Sequence, residues 1–134
     1  MAKTKIINET GKRKKAVAKA TVKPGSGQVY INKESLDIYT PKLAKQRIQE
    51  PLLLAGNVTK KLQINVTVSG GGVSGQADAI RLAIAKALAE YDSSLKDVFL
   101  EYDRQLIVAD VRTRETRKPN SHGKARAKRQ KSYR

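Results

Sequence analysis

Hydrophobic and polar positions alternate most cleanly over residues 60–69, where Leu62, Ile64, Val66 and Val68 fall on one side and Lys61, Gln63, Asn65 and Thr67 on the other. A period of two predicts a β-strand with one buried face, and it leaves the second face for solvent or a ligand. The same period runs through residues 15–23, with Ala16, Ala18, Ala20 and Val22 inward and Lys15, Lys19 and Lys23 outward, so the outer side of this strand is basic. Pro24-Gly25-Ser26-Gly27 supplies turn residues and residues 28–32 resume an extended pattern, which predicts a hairpin between the two runs. Thr40-Pro41 reads as a helix start, a capping hydroxyl followed by proline at the first helical position, and Pro51 is expected to end or kink that helix. Residues 52–55 then close against Gly56, a candidate helix C-terminal cap.

Helical spacing takes over after the glycine segment at 70–75. Ala77, Ile80, Ile84, Leu88 and Tyr91 share one face of a helix over residues 75–91, and the many alanines along it favour helix and permit close approach to a sheet. A shorter helix over 94–102 and an extended run over 106–111 complete the body, with no internal repeat. Alternating strands separated by helices of moderate length imply an α+β domain, a two-layer sandwich with its helices on one face of a mixed sheet.

Charge changes this picture. The chain of 134 residues has a net charge of +16, divided as +7 over residues 1–25, zero over 26–110 and +9 over 111–134. That division describes one globular domain, residues 1–110, whose neutral body carries a basic arm at each end, the second being an extended basic tail over 111–134. The tail holds ten Lys or Arg against the single acid Glu115 and has no apolar run. Too little apolar surface and mutual repulsion prevent such a segment from folding alone, so it needs an anionic partner, and a nucleic-acid backbone fits it best. The chain has no cysteine, which removes disulfides and thiolate metal sites. Its longest apolar stretch is Leu52-Leu53-Leu54-Ala55, and residues 1–5 contain no signal-type segment, so the expected setting is cytoplasmic with no membrane contact.

The glycine segment imitates two nucleotide-binding motifs. As a phosphate-binding loop, Gly70 and Gly75 have the right spacing, but Gln76 and Ala77 stand where lysine and a magnesium-binding hydroxyl are required. As a dinucleotide fingerprint, Gly70, Gly72 and Gly75 match, yet about twenty residues later the same helix is still running, with no second strand ending in an acid. Two readings stay open: the loop and helix start seat one phosphate of a polynucleotide, or the loop is a turn that caps the helix. Catalytic groupings are poor, because His122 sits in the tail with no carboxylate or nucleophile nearby. Asp78, Asp92, Asp97, Glu101 and Asp103 read as solvated faces and helix-end charges. No metal or cofactor is expected. Tyr30, Tyr39, Tyr91 and Tyr102 read as core or rim, whereas Tyr133 has no core to join and is suited to stacking on a base or ribose.

Three segments resemble the family of the ninth small-subunit ribosomal protein. These are Gly11-Lys12-Arg13-Lys14-Lys15-Ala16-Val17-Ala18, then Gly70-Gly71-Gly72-x-x-Gly75-Gln76-x-x-Ala79-x-Arg81 followed by Ala83-Ile84-Ala85-Lys86-Ala87-Leu88, and finally Lys124-Ala125-Arg126-x-x-x-Gln130-Lys131-Ser132-Tyr133-Arg134. The ending resembles archaeal and eukaryotic members more than bacterial ones. The resemblance implies a fold like the second domain of the fifth small-subunit ribosomal protein, with a left-handed β-α-β crossover where the general rule gives a right-handed one. It also implies a structural protein without enzymatic activity or small-molecule substrate, bound to small-subunit ribosomal RNA and to neighbouring proteins in the head of the subunit, whose tail reaches tRNA in the peptidyl site. Candidate ribosomal RNA contacts are Lys12, Arg13, Lys14, Lys15 and Lys19 in the first segment and Gly70, Gly71, Gly72, Gly75, Gln76 and Arg81 in the second. Arg112, Arg114, Arg117, Lys118, Lys124, Arg126, Lys128 and Arg129 extend them along the tail, and Lys131, Ser132, Tyr133 and Arg134 are the candidate tRNA contacts. The alternative is a free nucleic-acid-binding protein of the RNA-chaperone or chromatin type, which shares the charge balance but has no need of the central glycine signature.

Overall fold

Our computed structural model of the chain describes residues 6–39, 42–103 and 106–107. Five strands form one mixed sheet: β1 (Ile7–Arg13), β2 (Ala16–Pro24), β3 (Val29–Ile31), β4 (Glu34–Ser35) and β5 (Leu62–Ser69), in the order β1-β2-β5-β3-β4. Among the described residues three α-helices, α1 (Lys42–Ala55), α2 (Val73–Tyr91) and α3 (Ser94–Tyr102), complete the α+β architecture. β5 lies antiparallel to β2 and parallel to β3, and α1 lies in the connection between the two parallel strands.

The alternation in β2 and β5 works as the sequence suggests. Ala16, Ala18, Ala20 and Val22 join Leu62, Ile64, Val66 and Val68 in the core, and α2 covers them together with β1. The small inward residues of β2 let the helix come close. Closest approach is at Gly11 of β1, where an added Cβ would collide with the Ala79 carbonyl and stand 2.7 Å from the Ala83 nitrogen. Alanine backbone thus lies directly on glycine backbone.

Several expectations are corrected. β2 and β3 do not form a hairpin, because β5 lies between them and takes hydrogen bonds from both sides. The true hairpins are β1–β2, closed by Lys14 and Lys15 with Lys14 at φ 55°, and β3–β4, closed by Asn32 and Lys33 at φ 51° and 70°. Positive φ at both positions is the turn geometry that matches strand twist. Lys15 is therefore a turn residue, and the basic N-terminal segment is no arm, since residues 7–24 supply two strands of the sheet. Pro51 does not end α1. Its ring is fully buried, so packing offsets the missing amide, and the helix continues to Ala55 before Gly56 turns it at φ 62°. A 3-10 turn over Gly56–Lys61 replaces the expected start of the next strand.

α2 is buried nearly all round, including Ala79, Ala83, Ala85 and Ala87, because the sheet, α1 and α3 all pack on it. Tyr91, expected on the buried stripe, is 37% exposed at the helix end. After α3 the Leu106 amide donates to the Asp103 carbonyl at 3.0 Å with Leu106 buried, a turn where an extended run was expected. The rest of that run, the Thr40-Pro41 cap and the tail over 111–134 lie outside the described residues. Among the described residues no helix is long and apolar enough to cross a membrane.

Candidate nucleic-acid interface

The loop between β5 and α2 is shaped by its first two glycines. Gly70 and Gly71 adopt φ 78° and 66°, a region that favours glycine, and both lie against the start of β2. A Cβ on Gly70 would overlap the Lys15 carbonyl oxygen, and one on Gly71 would stand 3.0 Å from the Ala16 nitrogen. This contact seats the glycine loop beside the basic turn Lys14-Lys15. Gln76 fixes the loop from the helix side, its amide donating to the Gly70 carbonyl at 3.1 Å.

Gly72 is different. It caps α2 at φ −96° and ψ 178°, extended backbone that any residue adopts, and an added Cβ would meet nothing within 4 Å. At Gly75 the nearest atom would be the Arg13 carbonyl at 3.5 Å, an ordinary contact. Folding therefore uses the glycine character of positions 70 and 71, while 72 opens to the outside. No side chain caps α2 and no acid lies in its first turn, so its leading amides face outward with the positive end of the helix dipole.

Cations surround this end. Lys12, Lys14 and Lys15 are exposed around the β1–β2 turn. Arg13 pairs with Asp78 of α2 at 3.8 Å, and Asp78 accepts from Arg47 of α1 at 3.1 Å, so one carboxylate gathers two guanidinium groups beside the loop. Arg47, 54% exposed on its side chain, is a contributor that sequence reasoning missed. Asp78, thirty-one positions along the chain, links it to the loop, and nothing local announces it.

Arg81 is placed elsewhere. Two turns along α2, its side chain is 13% exposed and pairs with Glu50 of α1 and, at 3.1 Å, with Asp103 just after α3. It clamps three elements together and does not point to the glycine loop. Lys19 is exposed on the sheet face away from the helices. The tail candidates from Arg112 to Arg134 lie outside the described residues. Among the described residues no group of His, Cys, Asp or Glu could hold a metal ion.

Comparison with known proteins bears on what this arrangement serves. Residues 11–134 match the family model described as ribosomal protein S9/S16. The chain belongs to that family. It is 45% identical over 133 residues to the small ribosomal subunit protein uS9 of Methanococcus maripaludis, covering 97% of this chain and 99% of the relative. The uS9 protein of Methanothrix thermoacetophila is 46% identical over 132 residues with the same coverage. All three segments that suggested the S9 family fall inside the matched residues.

Proposed function

We propose that this S9-family chain is a structural, non-enzymatic constituent of the small ribosomal subunit in the cytoplasm, holding small-subunit ribosomal RNA in the head. The observation that carries this reading is the family match over residues 11–134, which takes in both the glycine loop and the basic tail. In the body, the amides leading α2 and the open Gly72 receive a phosphate, while Lys12, Lys14 and Lys15 add charge that draws the RNA backbone in. Arg13 and Arg47, gathered by Asp78, border the same seat. Arg81 serves by holding the helices together.

Residues 111–134 then act as an extended basic tail that continues along the RNA through Arg112, Arg114, Arg117, Lys118, Lys124, Arg126, Lys128 and Arg129. At its tip, Lys131, Ser132, Tyr133 and Arg134 contact tRNA in the peptidyl site, where a guanidinium fork bridges phosphate oxygens and Tyr133 packs against the RNA surface. The β3-α1-β5 connection is the proposed left-handed crossover of the domain shared with the fifth small-subunit protein. Neighbouring head proteins have Leu43 and Leu53 of α1 to meet, 76% and 78% exposed. Sucrose-gradient sedimentation of a lysate tests the reading: the chain is expected with the small subunit, and migration with free RNA or chromatin instead would support a free nucleic-acid-binding protein.

A further inference from the structure

The helices cover one side of the sheet and leave the other open. Cross-strand register fixes what that open side presents. One row runs Asn8, Thr21, Asn65 and Tyr30, and the next runs Thr10, Lys19 and Thr67. Lys12 stands beyond them, opposite Val17, and Lys23 lies toward the other end, opposite Gln63. Side chains alternate, so Glu9 and Arg13 belong to the helix side, where they pair with Lys86 and Asp78 of α2. The open face of β1, β2 and β5 therefore carries three lysines and no carboxylate. No ion pair with a described residue engages Lys12, Lys19 or Lys23.

We propose that this open sheet face is a second RNA surface that takes the sugar-phosphate backbone and shallow minor groove of an A-form RNA duplex, an inference that rests on the RNA-binding reading above. Charge complementarity supplies the occupant's sign. Counting six positions along β2 at about 3.3 Å each, the lysines spread over roughly 20 Å, enough to meet several phosphates of one duplex. Between them stand hydroxyl and amide groups, which can donate to and accept from the 2′-hydroxyls displayed in a wide, shallow RNA minor groove. A single strand fits less well: Tyr30 is the one aromatic group in these rows, and its hydroxyl donates to Gln28. A protein partner also fits less well, because Val17 in these rows and the exposed Ile6 just before β1 are too little apolar surface for the apolar centre that stable interfaces need.

The full chain is titrated by fluorescence anisotropy with an RNA duplex, the DNA duplex of the same sequence and the single-stranded RNA, over a range of salt. The Lys19→Gln/Lys23→Gln variant, which spares the lysines assigned to the loop seat, is expected to lower the slope of log K against log salt for duplex RNA by about 1 to 2, while the corresponding Lys→Arg variant keeps it. Thr10→Val with Thr67→Val is expected to bring the RNA-over-DNA preference toward one without changing the slope. Thermal melts of each variant establish that it is folded. An unchanged slope in the Gln variant, with a reduced one in Lys14→Gln/Lys15→Gln, would overturn the sheet-face site and leave the loop-centred reading standing. Absence of salt-dependent RNA binding by the unaltered chain would instead overturn the parent reading. Full RNA binding by the Gln variant, combined with loss from the small-subunit peak, would identify a protein interface and overturn the proposal. Equal RNA and DNA binding that ignores the threonine changes would also overturn it.

Discussion

Replacing Gly72 by serine separates a phosphate seat from a plain turn, because one reading predicts weaker binding and the other unchanged binding, while both agree on stability. Gly72 is the residue before α2, its backbone is extended, and an added Cβ meets nothing within 4 Å. Serine is the better cap, by a few tenths of a kcal/mol, since its hydroxyl oxygen accepts from one of the leading amides. A rise of about 1–2 °C in Tm is expected. If those amides hold phosphate, the same hydroxyl competes for a donor and the side chain stands in the approach. Losing one charge-assisted hydrogen bond, about 1.5–3 kcal/mol, weakens RNA binding roughly 10- to 150-fold.

Gly70→Ala is the control with the opposite pattern. At φ 78° the backbone favours glycine, and alanine there costs about 1–2 kcal/mol before its overlap with the Lys15 carbonyl is counted. Its Tm is expected to drop by several degrees. Circular-dichroism melts and anisotropy with a head-region ribosomal RNA fragment read the two quantities on the same samples. Wild-type affinity in Gly72→Ser would refute the phosphate seat and make the loop a cap only. A Gly70→Ala protein as stable as wild type would refute the packing of the loop on β2.

Arg81→Leu leaves Glu50 and Asp103 without their shared cation, and because both carboxylates are about a third exposed the expected loss is ~1–3 kcal/mol in urea denaturation, with an unchanged RNA salt slope. Removing residues 111–134 should flatten the salt dependence of RNA binding by about 0.7 to 0.9 for each phosphate the tail neutralises; an unchanged slope would take the tail out of the contact. Deleting Lys131 to Arg134 alone should leave subunit assembly intact and weaken peptidyl-site tRNA by about 1–3 kcal/mol in filter binding, whereas full affinity at moderate salt would reject the tip assignment. Burial pushes the Tyr39 phenol above its ordinary 10.0, so the unfolded chain loses this proton first as pH rises; stability should fall above that value, and less steeply in Tyr39→Phe.

What the sequence made legible was whatever obeyed a simple period. β2, β5 and α2 are visible because their inward positions are apolar. β1 is not, because inward of Ile7 it places Glu9, Gly11 and Arg13. Each is satisfied by α2, through Lys86, helix backbone and Asp78, partners some seventy positions away that no local window contains. The false hairpin has a similar origin. Turn residues at 24–27 say that the chain reverses, but they do not say which strand it will lie beside, and β5 arrives only after α1 to claim the place. In the glycine segment, the sequence pattern could not divide the labour that geometry divides, with 70 and 71 needed for folding and 72 left open.

Charge shows the same limit of linear reading. Residues 26–110 sum to zero, but the fold joins them to the basic β1 and β2 and sets the charges of both apart in space. Arg47 joins Arg13, Lys14 and Lys15 around the start of α2, with Asp78 paired to both arginines, while Glu90 and Asp92 lie at its far end, and Asp97 and Glu101 follow on α3. Nineteen helical residues set these groups about 28 Å apart, several screening lengths at physiological salt. The folded body, which includes the basic β1 and β2, is thus polarised in space. An approaching polyanion is attracted to the glycine-loop end more than to the α3 end, where acids outnumber Lys86 and Lys96, so orientation precedes contact. The helix dipole adds to the same polarity, so the glycine-loop end is the one the body presents to RNA.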